Sequence, residues 1–194
     1  MEDQKNEIIS IVGEKRYEHI LRVRDVAIDL AKNYNISVEK AEIAAYYHDC
    51  AKATTQDKIY ELCKKYGLKL SYKMQKAPKI IHAPLGAIIA NKKFGIEDKD
   101  ILNAIKYHTT GRENMSMLEK IIFVSDYIEP NRKFDGIDEI RKLAFENIDI
   151  ALYKSLNNMI GYLLLKDEYI VSDTIGARNY IMEKYKWENS LKHL

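Results

Sequence analysis

Apolar residues recur at intervals of three and four along almost the whole chain, and no segment alternates convincingly between apolar and polar residues. This spacing places apolar side chains on one face of an α-helix, whereas a half-buried strand alternates with period two. Only 8 glycines and 3 prolines occur among the 194 residues. Sandwiches and barrels need many turns and usually contain more of both. The sequence therefore predicts an all-α protein, built as a helical bundle.

Residues that start and stop helices divide this pattern into elements. Typical N-caps stand at Ser37, Thr54 or Thr55, Asp98 and Ser116, and Ser116 has the spacing of a capping box with Glu119. Residues 68–80 show no clear period, and two or three helices are expected after Gly136. No repeat, low-complexity tract or Pro/Gly/Ser-rich linker divides the chain. We therefore expect one domain over 1–194, with its core at about 8–180 and a C-terminal helix.

Charge and composition argue against several classes of protein. The 31 basic and 29 acidic residues give a net charge of +2, which does not indicate a nucleic-acid partner. No apolar run approaches the roughly 18 residues of a membrane span, and the N-terminus lacks the pattern of a signal peptide. Two cysteines, Cys50 and Cys63, cannot form a disulfide framework or a four-cysteine zinc site. We expect a cytoplasmic protein with no membrane partner.

Four histidines and two aspartates fall where a core-facing helix would normally place leucine or isoleucine. They are His19, His48, Asp49, His82, His108 and Asp126. One such histidine alone is most often a hydrogen-bonded core residue. Six together would leave several buried imidazoles without partners, because the set contains only two anions. We therefore predict a metal site in the interior, whereas the fifth histidine, His193, is expected at the surface.

The types of ligand narrow the choice of metal. Imidazole and carboxylate favour iron, manganese, cobalt or zinc over magnesium and calcium. If Asp49 bridges through its two oxygens, two ions can be held. The first would take His19, His48, Asp49 and Asp126, and the second Asp49, His82 and His108. Two adjacent ions generate a hydroxide and stabilise charge in a displacement at phosphorus.

The order H…HD…H…H…D is the signature of HD-domain metallophosphohydrolases. Further segments resemble the YqeK type of that family, namely RYEH at 16–19, HDCAK at 48–52, IHAPLGA at 81–87, YHTTGR at 107–112, MLEKII at 117–122 and DYIEP at 126–130. The resemblance covers about residues 8–180. It implies a helical protein with two divalent ions, iron first and manganese or cobalt as alternatives. It also implies symmetrical cleavage of diadenosine tetraphosphate into two ADP.

Polar residues close to the predicted ligands are candidates for binding the substrate's phosphates. They are Lys52, Thr109, Arg112, Asn131 and Arg132. Lys52 lies one helical turn beyond Asp49, so its ammonium can reach a phosphate beside the ions. These two residues are predicted to be catalytic. The other candidates follow His108 or Pro130 directly and offer a hydroxyl, an amide and two guanidinium forks.

Other functions stay open beside this one. One is a different HD nucleotide phosphohydrolase, and another is a di-iron oxygenase, because some HD-fold proteins activate dioxygen in a similar cage. A third is a non-catalytic nucleotide- or RNA-binding module with a degenerate metal site. The cations Lys52, Arg112 and Arg132 argue against the oxygenase, and the complete ligand set argues against degeneracy. A homodimer is also left open, with residues 159–165 as core or as a dimer face.

Overall fold

A computed structural model describes the backbone of residues 2–191 and the side chains of residues 3–184, so His193 lies outside the described residues. Within this part the chain forms helices and no strand, which confirms the all-α prediction. The helices are α1 (Glu2–Val12), α2 (Glu14–Asn33), α3 (Val38–Tyr47), α4 (Gln56–Tyr66), α5 (Tyr72–Lys76), α6 (His82–Phe94), α7 (Lys99–Tyr107), α8 (Met117–Ile128), α9 (Ile137–Glu146), α10 (Ile148–Leu165) and α11 (Ser172–Leu191). A short 3-10 helix at Pro78–Ile80 precedes α6.

The predicted caps form, and they explain where several helices begin. Side-chain oxygens accept hydrogen bonds from backbone N–H groups in the first turns of α3, α4, α7 and α8, and they belong to Ser37, Thr55, Asp98 and Ser116. The unpatterned segment 68–80 contains α5 and the 3-10 helix. In the part of the chain that the structure describes, three helices follow Gly136, at the upper end of the predicted number.

Helix α8 lies at the centre of the bundle. It contacts α2, α3, α7, α9 and α10, and its residues 118–125 are all buried. A helix that is apolar on every side lies in the interior of a protein. The last turn of α8 therefore begins inside the bundle. The buried apolar residues form one cluster that extends over most of the described chain. The single domain over 1–194 remains a prediction.

The end of α10 leaves apolar side chains at the surface. Tyr162, Leu164 and Leu165 are exposed, so at these positions residues 159–165 do not belong to the core. The homodimer stays a prediction. No helix in the described part of the chain combines the length and apolar character needed to cross a membrane.

Candidate metal centre

Five segments of the chain meet at one point in the interior, and each contributes to the predicted ligand set. The contributions are His19 from α2, His48 and Asp49 from the turn after α3, His82 from the first residue of α6, His108 from the end of α7 and Asp126 from the last turn of α8. The four histidines and Asp49 are buried, and the Asp126 side chain is 17 % exposed. The fold thus brings together all six residues.

Small residues allow this close approach of the helices. The face of α3 that is turned inward consists of Ala41, Ala44 and Ala45, all fully buried. In α6, a Cβ atom added at Gly86 would lie 3.5 Å from the carbonyl oxygen of His48. Because these positions carry little side-chain volume, α6 can pack closely against the turn that contains His48 and Asp49.

Asp49 is fully buried and lies between two pairs of histidines. Its Oδ2 is 3.7 Å from Nε2 of His19 and 3.5 Å from Nε2 of His48. Its Oδ1 is 3.2 Å from Nε2 of His82 and 3.4 Å from Nε2 of His108. Each carboxylate oxygen therefore faces its own pair of imidazoles, which is the arrangement needed by a bridging ligand.

Hydrogen bonds at the outer side of the imidazoles determine which nitrogen faces Asp49. Nδ1 of His48, His82 and His108 lies 2.6, 2.8 and 2.7 Å from the backbone carbonyl oxygen three residues earlier. A carbonyl oxygen only accepts, so each Nδ1 carries the proton and each Nε2 keeps a lone pair. His19 differs, because its Nδ1 lies 3.3 Å from the carboxylate of Glu129. All four histidines therefore present Nε2 as a ligand atom.

This assignment leaves acceptor atoms facing one another in the interior. Nε2 of His82 lies 3.1 Å from Nε2 of His108, and Nε2 of His19 lies 3.1 Å from Oδ1 of Asp126. Nε2 of His19 and of His48 and Oδ1 of Asp49 are buried without a hydrogen-bond partner among the described residues. Opposed lone pairs are costly in the interior, and a cation between them satisfies all of them.

The spacing of the donor atoms also fits a metal ion. The ligand atoms of His19, His48 and Asp126 lie within 4.8 Å of one another, as do those of His48, Asp49 and His108. Nitrogen and oxygen donors at such spacing can converge on a divalent ion. The donor set, its spacing and its opposed acceptors agree, so the site can hold a divalent metal.

The protonation states also suit metal ligands, which must be deprotonated. Burial raises the pKa of Asp49, but His48, when it is protonated in the absence of a metal ion, and the charge of Lys52 hold this pKa well below its usual range. Burial likewise raises the pKa of Asp126, but His19, when it carries a proton on Nε2 in place of a metal ion, holds this pKa well below its usual range. Burial, assisted by the charge of Lys52, lowers the pKa of His82 to about 4.

Three partly exposed cations lie around these carboxylates. Nζ of Lys52 is 3.6 Å from Oδ1 of Asp49, and Nη2 of Arg132 is 2.8 Å from Oδ1 of Asp126. Both residues were predicted from the sequence. Arg16 was not, although its Nη1 lies 3.3 Å from Oδ2 of Asp49. Its position one helical turn before His19 was the signal, because residues three apart share a helix face.

The remaining phosphate-binding candidates lie in different surroundings. Oγ1 of Thr109 is 3.2 Å from Nε2 of His82 and 3.1 Å from Nε2 of His108, so this hydroxyl belongs to the centre. Asn131 is exposed, and its backbone N–H donates to Glu129. The phosphate-binding role of both residues stays a prediction.

Arg112 binds a carboxylate outside the candidate ligand set, and its phosphate-binding role stays a prediction. Its guanidinium donates from Nη2 and Nε to Oε1 of the buried Glu119, at 2.7 and 3.2 Å, and stacks over the ring of Tyr107. It lines a separate cavity with Lys73 and Asp173. Because Glu119 binds Arg112, the capping box predicted with Ser116 forms only in its serine half.

Glu129 is a further residue of the site that sequence reasoning missed. It is 3 % exposed, lies 3.3 Å from His19 and accepts a hydrogen bond of 2.8 Å from Nε of Arg22. Burial raises its pKa, but Arg22 and the backbone N–H of Asn131 shift it below the usual value. Its place three residues after Asp126 was the available signal.

Comparison with known proteins agrees with this geometry. The model of the HD domain family matches residues 16–131. A protein of Halalkalibacterium halodurans named symmetrical bis(5′-nucleosyl)-tetraphosphatase is 43 % identical, over 89 % of this chain and 92 % of that protein. A Bacillus subtilis protein of the same name is 40 % identical, over 87 % and 90 %.

A solved structure shows the same fold. It is a protein of Clostridium acetobutylicum described as a predicted HD superfamily hydrolase involved in NAD metabolism, with a TM-score of 0.88 and 45 % identity. The match covers 94 % of this chain and 97 % of that one. Family model, relatives and fold therefore agree with the ligand motifs. The chain belongs to the HD domain family and, within it, to the YqeK-type hydrolases that its motifs resemble.

Proposed function

We propose that this chain is a metal-dependent hydrolase that cleaves diadenosine tetraphosphate and related dinucleoside polyphosphates symmetrically into two nucleoside diphosphates. The observation that carries the proposal is the position of Asp49, whose two oxygens face two separate pairs of histidines. The names of the relatives, which match over nearly the whole chain, support the substrate and the symmetry of cleavage.

Two divalent ions are part of this proposal. The first would be held by His19, His48, Asp49 and Asp126, and the second by Asp49, His82 and His108. Bound there, the ions would polarise phosphate oxygens and lower the pKa of water for attack at phosphorus. Iron is the first choice, and manganese and cobalt are the alternatives, since imidazole and carboxylate ligands suit all three.

The charges around the centre favour a polyanionic substrate. Three carboxylates and four cationic side chains pair there, namely Asp49, Asp126 and Glu129 with Arg16, Arg22, Lys52 and Arg132. The side chains alone are therefore nearly balanced, and divalent ions would leave a large positive excess. A tetraphosphate chain neutralises that excess, whereas the neutral polyol expected of a di-iron oxygenase does not.

Individual side chains have distinct tasks in this proposal. Lys52 is 32 % exposed and only 3.6 Å from Asp49, so its ammonium can turn to a phosphate oxygen without losing a short hydrogen bond. Arg132 lies beside Asp126 and offers its remaining guanidinium donors. These two positive charges, one beside each aspartate, would stabilise the negative charge that grows on the reacting phosphate and on the departing ADP.

Product analysis in oxygen-18 water tests the proposal. The protein is purified anaerobically with the metal it carries and is incubated with diadenosine tetraphosphate. The nucleotides are then separated, and their masses are measured by mass spectrometry. We expect only ADP, with solvent oxygen on the β-phosphate of one of the two molecules. Formation of ATP and AMP would contradict symmetrical cleavage. Oxygen consumption with a polyol, without any nucleotide cleavage, would instead support the oxygenase.

A further inference from the structure

A cavity of about 220 Å³ opens directly beside the candidate centre, and its lining combines two kinds of residue. Four lining residues are polar, namely His108, Thr109, Asp126 and Arg132. The other four are apolar or aromatic, namely Phe123, Tyr127, Phe134 and Met159. A ligand held at the centre by its anionic end would therefore find apolar and aromatic surface in the same cavity.

Two of the lining residues, Tyr127 and Phe134, have aromatic rings that contact each other. The centroids of Tyr127 and Phe134 lie 5.2 Å apart, and the ring planes meet at 65°. Phe134 is 38 % exposed although its ring contacts that of Tyr127. An aromatic ring left partly in water next to a cavity has apolar area that a planar ligand can cover.

The size of the cavity points to a small planar group. Pockets for drug-sized ligands have volumes of about 300–1,000 Å³, so 220 Å³ suits one ring system better than a whole nucleotide. Aromatic side chains bind nucleobases of every kind by stacking, because each base has a π-face. Among the side chains of Phe123, Tyr127, Phe134 and Met159, the polar group is the hydroxyl of Tyr127, which interacts with Asn158. These four side chains therefore offer little that distinguishes one base from another.

We propose that this cavity holds the nucleobase of the substrate half whose phosphates lie at the centre, with Phe134 as its stacking partner. The inference rests on the proposed function, because that function places the phosphates beside Asp126 and Arg132. It adds the part of the site that recognises the nucleoside. It also predicts tolerance of different bases, since stacking rather than hydrogen bonding provides the binding energy.

Binding measurements with ADP and pyrophosphate test the inference in the metal-loaded protein. In Phe134→Ala we expect ADP to bind about 5- to 150-fold more weakly, the range that loss of one stacked base corresponds to. Pyrophosphate, which has no base, should bind as in the wild type. Phe134→Trp keeps an aromatic ring and should retain tight ADP binding. Phe145→Ala is the matched control, since Phe145 is 43 % exposed on α9 and does not line the cavity.

Two results would overturn the inference. One is unchanged ADP affinity in Phe134→Ala, and the other is an equal loss of affinity for ADP and pyrophosphate. Failure of the proposed function would look different. In that case the wild type would not hydrolyse diadenosine tetraphosphate, whereas the dependence of ADP binding on Phe134 would be measured all the same.

Discussion

Among single residues, Glu129 has a role that the geometry makes specific. His48, His82 and His108 donate their Nδ1 protons to backbone carbonyl groups, whereas His19 faces the buried carboxylate of Glu129. A carboxylate behind an imidazole fixes the ring and makes Nε2 more basic. Glu129 therefore acts as a positioning residue for His19.

Replacement of Glu129 by glutamine should weaken metal binding while the protein stays folded. Glutamine keeps the shape and can still accept from Arg22, but it lacks the negative charge that strengthens Nε2 of His19. Loss of such an outer partner typically lowers metal affinity about 10- to 100-fold. Competition with a chelator measures the affinity directly. Glu18→Gln, at an exposed position on α2, is the control, and an affinity in Glu129→Gln equal to that of this control would refute the role.

Arg112 leads to a second prediction at this scale. Removing its guanidinium leaves Glu119, which is 1 % exposed, without its cationic partner. A buried acceptor that loses its partner costs about 1–3 kcal/mol of stability. Arg112→Ala should therefore lower the free energy of unfolding in urea, with KM for the tetraphosphate nearly unchanged.

Kinetics decide between this account of Arg112 and its predicted phosphate-binding role. If Arg112→Ala raises KM without a change in stability, the result would support the prediction that Arg112 binds the substrate's phosphates. Sequence reasoning could place a guanidinium near His108, but its partner could not be foreseen. The capping-box spacing of Ser116 and Glu119 assigned that carboxylate to the helix start, and only the folded chain shows it bound to Arg112.

At the scale of elements, the turn after α7 packs closely against α11. Gly111 has a φ of +64°, and an added Cβ would lie 3.0 Å from Cβ of Ala177 on α11. Gly95 also has a positive φ, +71°, but an added Cβ there meets no atom within 4 Å. Both glycines therefore have a left-handed backbone conformation, but only at Gly111 would a Cβ atom also press against a neighbouring helix.

This pair separates backbone strain from helix packing. Gly95→Ala should cost roughly 1–2 kcal/mol, the penalty of a left-handed conformation for a residue with a Cβ. Gly111→Ala should cost more, because α11 must also move away. Urea unfolding of both variants gives the comparison. Equal losses would show that the contact with Ala177 does not hold α11.

The elements that could be predicted from the sequence are those with a clear period and a cap. Ser37 and Asp98, for example, start α3 and α7 as expected. Residues 68–80 could not be assigned, because α5 and the 3-10 helix are too short to show a period of 3.6. Their stability depends on contacts with the rest of the protein rather than on local pattern.

Over the whole molecule, the candidate ligands join five segments that are distant in the sequence. The six residues could be predicted because polar side chains stand out in apolar stripes. Their neighbours could not, because the contact of Arg16 with Asp49 depends on how α2 packs against α3, and that of Glu129 with His19 on how α2 packs against α8. The arrangement of helices around α8 is a property of the complete core.

Metal content per chain tests the central proposal, that two ions would be held with Asp49 as a shared ligand. The wild type, purified anaerobically, is compared by elemental analysis with Asp49→Asn, His82→Ala and Asp25→Asn, in which an exposed aspartate on α2 serves as control. Circular dichroism confirms folding of each variant. We predict two metal ions per chain in the wild type and in the control, about one in His82→Ala, and loss of most metal in Asp49→Asn. Two ions per chain in Asp49→Asn would contradict the bridge.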